Sequence, residues 1–207
     1  MAKLVLSKSG LQKQREDLKL YQRVLPSLDL KRMQLMGALK RAQEQLSEAE
    51  AEVERLNQRV AEQLPMLANR DIDVSGLVQV DDIRIVEENL VGVKLPALEE
   101  VMCKVSEYSM LAKPHWVDTL VDQLKQMVEQ KTRVRVAAER FRLLEQAVRR
   151  ITQRVNLFEK ILIPTAKTNI KKIQIYLADA ERAAVVRSKI TKTMRLKQQA
   201  AERDARR

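Results

Sequence analysis

The sequence predicts an all-α protein: a long antiparallel two-helix coiled coil formed by its N- and C-terminal helices, with a small central β-hairpin and a short helix as an insert. Three observations carry this reading. Leu120, Met127, Val134, Phe141, Val148, Val155 and Leu162 recur every seven residues, and Ala137, Leu144, Ile151 and Phe158 each follow a member of that series by three. Leu11, Leu18, Leu25, Leu39, Leu46, Val53, Val60 and Leu67 hold a second register, broken once by Arg32, beside a row of Tyr21, Leu28, Leu35, Ala42, Ala49 and Leu56. Two apolar rows offset by three and repeating at seven form the seam of a left-handed coiled coil, which needs a facing partner. Composition is the third observation: four glycines, two Phe, one Trp and 32% charged residues suit long helices with wet outer faces around a narrow core. If the chain folds back on itself the two stripes bury each other and both termini meet at one tip. About 55 helical residues on each side would span on the order of 80 Å.

The elements follow in order, in three segments: 1–64, 65–113 and 114–207. Residues 1–10 are a lead-in, with Ser7 or Ser9 available to cap the helix that follows. The first helix is predicted from about Leu11 to about Leu64, where Pro65 ends it. Pro26, inside it, should kink it or open a local defect, and Gly37 with Ala38 offers a site where another backbone can approach closely. Asn69, Asp71, Asp73, Ser75 and Gly76 then supply turn chemistry. A strand is predicted around Ile83–Val86, a turn near Glu88 and Asn89, a second strand over Leu90–Pro96, and a short helix from Ala97 to Tyr108. Pro114 suits the first turn of the second long helix. Pro164 interrupts that helix, and beyond it the apolar series slips by one, to Ile163, Ile170, Leu177 and Ala184 with Ala166, Ile173 and Ala180, implying a local change of twist. The tail from Gln198 to Arg207 should fray.

The net charge of +11 is unevenly placed. Residues 1–41 carry ten Lys or Arg against three Asp or Glu, residues 182–207 carry nine against two, and the stretch between them is net −3. In an antiparallel hairpin the two basic ends coincide, so an acidic surface is the natural partner of that tip. No apolar window of transmembrane length and no secretory leader is evident, and a single cysteine, Cys103, fits a reducing compartment. The expectation is a cytoplasmic protein, peripheral to a membrane only through partners. Catalysis is poorly supported. His115 is the one histidine, there is no phosphate-cradling glycine motif, and the Glu87-Glu88 and Glu99-Glu100 pairs read as solvated charges. No cofactor and no metal are expected. Arg149, Arg150 and Arg154 fit either the wet face of the coil or a contact with another protein. The basic ends leave a nucleic-acid-binding coiled coil open beside a coiled-coil scaffold.

The run from Arg149 to Pro164 resembles a known family. Arg149, Arg150, Arg154, Val155, Asn156, Glu159, Ile163 and Pro164 match the RR-x-x-x-RVN-x-LE-x-x-x-IP signature of the D subunit of V-type and archaeal A-type ATPases. Ile170-Lys171-Lys172-Ile173-Gln174, Leu177, Glu181-Arg182 and Arg187-Ser188-Lys189 continue the resemblance, as do Ser7-Lys8-Ser9-Gly10-Leu11 and Leu28 to Leu39 near the start. Phe158, the Val185-Val186 pair, Ser188 and Pro26 depart from the family's pattern.

The resemblance implies a central-stalk rotor shaft without a catalytic residue of its own. Such a shaft stands in a ring of catalytic and non-catalytic ATPase subunits, binds a small companion stalk subunit, and rests on a funnel-shaped subunit above the membrane ring. It transmits torque between ATP hydrolysis or synthesis and proton or sodium transport. On that reading Lys8, Lys13, Arg15, Arg187, Lys189 and Lys192 are the rotor contacts with the catalytic ring, Lys3, Lys8, Lys13 and Arg15 standing opposite Arg187, Lys189, Lys192 and Arg195. Neither nucleic acid nor direct membrane insertion is expected.

Overall fold

The computed structural model describes residues 4–65, 76–106 and 116–204, with side chains described as far as residue 199. Lys3, Leu67, Asn69, Asp71, Asp73, Ser75, Pro114 and His115, singled out in the sequence, lie outside the described residues. The elements in order are helix α1 (Lys8–Gln63), strands β1 (Val78–Leu90) and β2 (Val93–Val105), helix α2 (Trp116–Asn156), a π-helical turn (Leu157–Leu162) and helix α3 (Ile163–Asp204). The chain divides into two compact units, Met1–Asp29 with Gln153–Arg207, and Leu30–Thr152.

In the first unit α1 opens on a cap. Ser7 Oγ accepts the Gly10 N–H at 3.0 Å, satisfying one of the donors a helix start leaves unpaired. Gly10 has a second role there, because a Cβ at that position would collide with the Val5 carbonyl oxygen of the lead-in. The seam predicted for this part of α1, Leu11, Leu18, Tyr21, Leu25 and Leu28, is half-buried throughout. Facing it, Val155, Ile163, Ala166 and Ile173 are buried. The pairing is antiparallel, as three cross-helix contacts show. The Tyr21 and Phe158 rings meet edge to face at 5.5 Å, Asn169 Nδ2 donates to Gln14 Oε1 at 3.2 Å, and Lys8 Nζ lies 3.9 Å from Glu181 Oε1.

Both prolines sit differently from expectation. Helix α1 continues through Pro26, which is exposed along with Gln22, the residue whose carbonyl loses its donor to the proline. Pro164 does not end the helical run. It is the second residue of α3, and the π turn that immediately precedes it widens the helix where the proline ring would otherwise meet the carbonyl four residues earlier. The Ile163 N–H reaches back to the Phe158 carbonyl, five residues away. That wide turn absorbs one residue, so the eight-residue step from Val155 to Ile163 keeps both in the seam. The slipped register read from the sequence therefore takes the form of a π turn.

In the second unit the remainder of α1 pairs with α2. Leu35, Ala38, Ala42 and Leu56 are buried on α1, and Leu120, Leu144 and Ile151 on α2. Gln123 Nε2 donates to Gln63 Oε1 at 2.6 Å across the pair, near the end of α1 and the start of α2. There Leu64, Leu77, Val117, Leu120 and Val121 form a buried cluster, flanked by Val60, Val78, Val105, Trp116 and Leu124. This cluster joins the feet of the β-hairpin to the helices.

The hairpin corrects two expectations. Strands β1 and β2 pair antiparallel from Val78↔Val105 to Leu90↔Val93, so the turn is Val91-Gly92 and not Glu88-Asn89. Both turn residues have positive φ, 53° and 82°, which a two-residue turn matched to strand twist requires, and the Gly92 N–H is held by Asn89 Oδ1 at 2.9 Å. Val91 is an uncommon residue for that geometry, and the sequence hides the turn inside an apolar run. The short helix expected from Ala97 is absent: Ala97–Val105 is the second half of β2, and residues 107–108 lie outside the described residues. Ala97, Leu98, Glu99, Glu100 and Met102 favour helix locally, but pairing with β1 overrides a weak propensity.

Candidate functional site

The signature residues divide by direction. In the second unit Arg149 and Arg150 are exposed on α2, and Arg149 Nη2 donates to Glu145 Oε1 at 2.7 Å one turn earlier. In the first unit Val155 and Ile163 point into the seam, with Val155 fully buried, while Asn156 is half-buried. Arg154, Glu159 and Pro164 are exposed there. The signature block thus contains a structural half and an outward half. Its seam residues hold the π turn against α1, while Arg150 and Arg154 are exposed. Neither Arg150 nor Arg154 has an ion-pair partner among the described residues.

The basic ends are brought together less closely than expected. Helix α1 starts at Lys8, opposite Glu181. Arg187, Lys189, Lys192 and Arg195 therefore stand beyond the start of α1 and are not opposite Lys8, Lys13 and Arg15. The spacing of the cross-helix contacts explains this. Pairing steps from Tyr21 and Phe158 to Gln14 and Asn169 and then to Lys8 and Glu181, where α1 runs out, while α3 continues to Asp204. At about 1.5 Å per residue, Arg187 lies roughly 9 Å and Lys192 roughly 17 Å along α3 from Glu181. Ala180 and Ala184, placed in the seam by periodicity, are exposed for the same reason.

The result is an unaccompanied stretch of α3. Every residue from Ala178 to Gln199 is exposed, including Val185, Val186, Ile190, Met194 and Leu196, each at least half accessible. Interleaved with them are Arg182, Arg187, Lys189, Lys192, Arg195 and Lys197. The charge run is legible in the sequence, whereas the apolar residues among the charges escape a search for seams. Their signal is the loss of heptad spacing after Ala184, where Arg187 and Thr191 take the next seam positions. Closer to the pairing, the lead-in, α1 and α3 enclose a groove of about 750 Å³ whose lining includes Val5, Lys13, Tyr21, Leu162, Ala166 and Lys172.

Two exposed pairs have shifted titrations. The Arg142 guanidinium, hydrogen-bonded to Glu139 at 2.7 Å, holds that carboxyl below its usual range. Glu87, 2.9 Å from Lys94 Nζ, raises the lysine. Both are surface ion pairs rather than chemical machinery. Among the described residues no group of three or more His, Cys, Asp or Glu is arranged to hold a metal ion, and no helix is long and apolar enough to cross a membrane.

The family of the ATP synthase D subunit matches residues 10–193. The chain belongs to that family. The D subunit of the V-type ATP synthase of Borreliella burgdorferi is 34% identical over 197 residues, covering 95% of this chain and 97% of the relative. Its counterpart in Chlamydia muridarum is 35% identical over 194 residues, 92% of this chain and 95% of the relative, and that of Chlamydia caviae is 32% identical over 197 residues, 92% of this chain and 93% of the relative. As a D subunit, the chain works together with other subunits of an ATP synthase.

Proposed function

We propose that this chain is the central-stalk rotor shaft of a V/A-type ATPase, a non-catalytic subunit that carries torque between the ATPase ring and the proton- or sodium-transporting membrane sector. Its partners in this reading are the ring of catalytic and non-catalytic subunits, a small companion stalk subunit and the funnel-shaped subunit over the membrane ring, which makes it peripheral to the membrane through the complex. The observation that carries the reading is the length of α3 left without α1 beside it, exposing apolar and basic side chains together. A single helix has no threefold symmetry. Inside a pseudo-threefold ring it touches each catalytic interface differently, and only such differential contact can bias otherwise identical pockets toward different states. Lys189 and Lys192, both exposed, would meet acidic ring loops through weak, exchangeable ion pairs, as a bearing requires.

The test is to lock the shaft. A cysteine replacing Ile190, oxidised onto a cysteine engineered in the ring, is expected to slow ATP hydrolysis by the complex by about tenfold or more, with full recovery on reduction. A cross-linked complex that turns over at the unlinked rate would overturn the reading.

A further inference from the structure

We propose that the free edge of β1 is a docking surface for a β-strand of another subunit, a strand carrying Lys or Arg among apolar residues. Among the described residues strand β1 has one neighbour, β2, and its residues from Gln79 to Asn89 are exposed. Register gives the direction of its backbone groups. Glu87 stands opposite Pro96, which has no N–H, and the Pro96 carbonyl accepts a hydrogen bond from Arg140 Nη1 at 3.1 Å. That pair is therefore non-hydrogen-bonded, and the backbone groups of both residues point away from the strand opposite. Ile85↔Leu98 and Asn89↔Lys94 share its phase. The outer edge of β2 thus meets α2 at Arg140, while the N–H and C=O groups of Ile85, Glu87 and Asn89 form a ladder on β1 with no backbone partner among the described residues.

Such an edge is an aggregation hazard unless something covers it. Val80, Ile83, Ile85 and Val86 along this strand are between 39% and 51% exposed, so the hazard is apolar as well as polar. Charge selects the occupant. Residues 78–105 hold six Asp or Glu against three Lys or Arg, net −3 in a chain of +11. Arg84 and Lys94 are already engaged by Glu100 and Glu87, and Arg140 of α2 by Glu88. Asp81, Asp82 and Glu99 are left without an ion-pair partner among the described residues. A second copy of the hairpin would set acid against acid across the new ladder, whereas a basic strand complements it. The inference stands on the hairpin and is independent of the torque reading.

Amide hydrogen exchange tests it without altering the chain, comparing the isolated protein with the assembled complex purified from its native cells. The amides of Ile85, Glu87 and Asn89 are expected to exchange about tenfold more slowly or better in the complex, while those of Val86 and Glu88, bonded to β2 in both states, change little. Equal rates at the three outward amides would sink the proposal. As a second measurement, Glu87→Pro removes an outward donor and leaves the β1–β2 ladder whole, so it should weaken retention of one subunit by about tenfold, whereas Glu87→Ala should retain it. Undiminished retention by Glu87→Pro overturns the proposal. A photo-crosslinker replacing Ile85 identifies the neighbour: a strand containing Lys or Arg supports the inference, and a second copy, a helix or an acidic segment refutes it. None of these readouts requires turnover, so failure of the ring-locking experiment would not be mistaken for failure here.

Discussion

Leu144 is 2% exposed in the seam of α2, and Leu157 lies 43% exposed on the π turn. Truncating each to Ala separates seam from surface. Leu144→Ala should lower unfolding free energy by about 2–4 kcal/mol through lost burial and a residual cavity, and Leu157→Ala should stay within about 0.5 kcal/mol. Chemical denaturation of the two variants reads both values, and equal losses would mean the seam is misplaced. Charge acts at the same scale through Glu139, whose carboxyl is held low by the hydrogen bond from Arg142. A carboxyl with a depressed folded pKa contributes stability that is fully present above its unfolded value and is lost as pH falls through the lower folded value. The melting temperature should therefore fall slightly on acidification below the ordinary value of 4.5, and Glu139→Gln should remove that share of the acid loss. The effect is small because water screens the pair.

Among the elements, the π turn is the feature whose form periodicity only half discloses. The sequence displays the eight-residue step from Val155 to Ile163 and the nearby proline, but a slipped series is compatible with a kink, a loop or an inserted residue. Geometry selects the inserted residue, with the Ile163 N–H bonded to Phe158. Deleting Ile161 should close the turn to an ordinary α-helix and return α3 to a seven-residue step. Pro164 would then meet the carbonyl four residues before it, at a cost of roughly 3 kcal/mol. The deletion combined with Pro164→Ala should melt near the parent temperature, and the deletion alone should melt lower. Deleting Lys167 instead rotates Ile170, Ile173 and Leu177 out of the seam and should destroy cooperative melting, as followed by circular dichroism. The hairpin shows the opposite limit of legibility. Ile83 to Val86 carries enough β-branched residues to be read as strand, but the run from Ala97 to Met102 reads as helix because its pairing partner lies ten or more residues away. No local pattern contains that information.

For the whole molecule, the seam positions assigned to described residues of α1, and those of α2 and the π turn, are buried or half-buried, because a seven-residue apolar repeat has few other uses. Periodicity does not say where the facing helix stops. Equal basic ends suggest opposed termini, but the contact between Lys8 and Glu181 places the start of α1 well short of the end of α3. Cysteines replacing Lys8 and Glu181 should be bridged within one chain by a short bismaleimide, whereas cysteines replacing Leu11 and Met194 should not, since Met194 lies about 20 Å along α3 from Glu181. Bridging of the second pair alone would restore opposed ends. The family and its long helices are within reach of the sequence because the Arg149–Pro164 block is specific and the apolar repeat is regular. The stretch of α3 without a companion is not, since it depends on where another element ends.

That stretch also bears on where the free chain is open to proteolysis. A helix without tertiary support is marginal in water, and this one offers six Lys or Arg residues between Arg182 and Lys197. Chains made in excess of their partners would be clipped there first by trypsin-like proteases, while partner-covered chains would be spared.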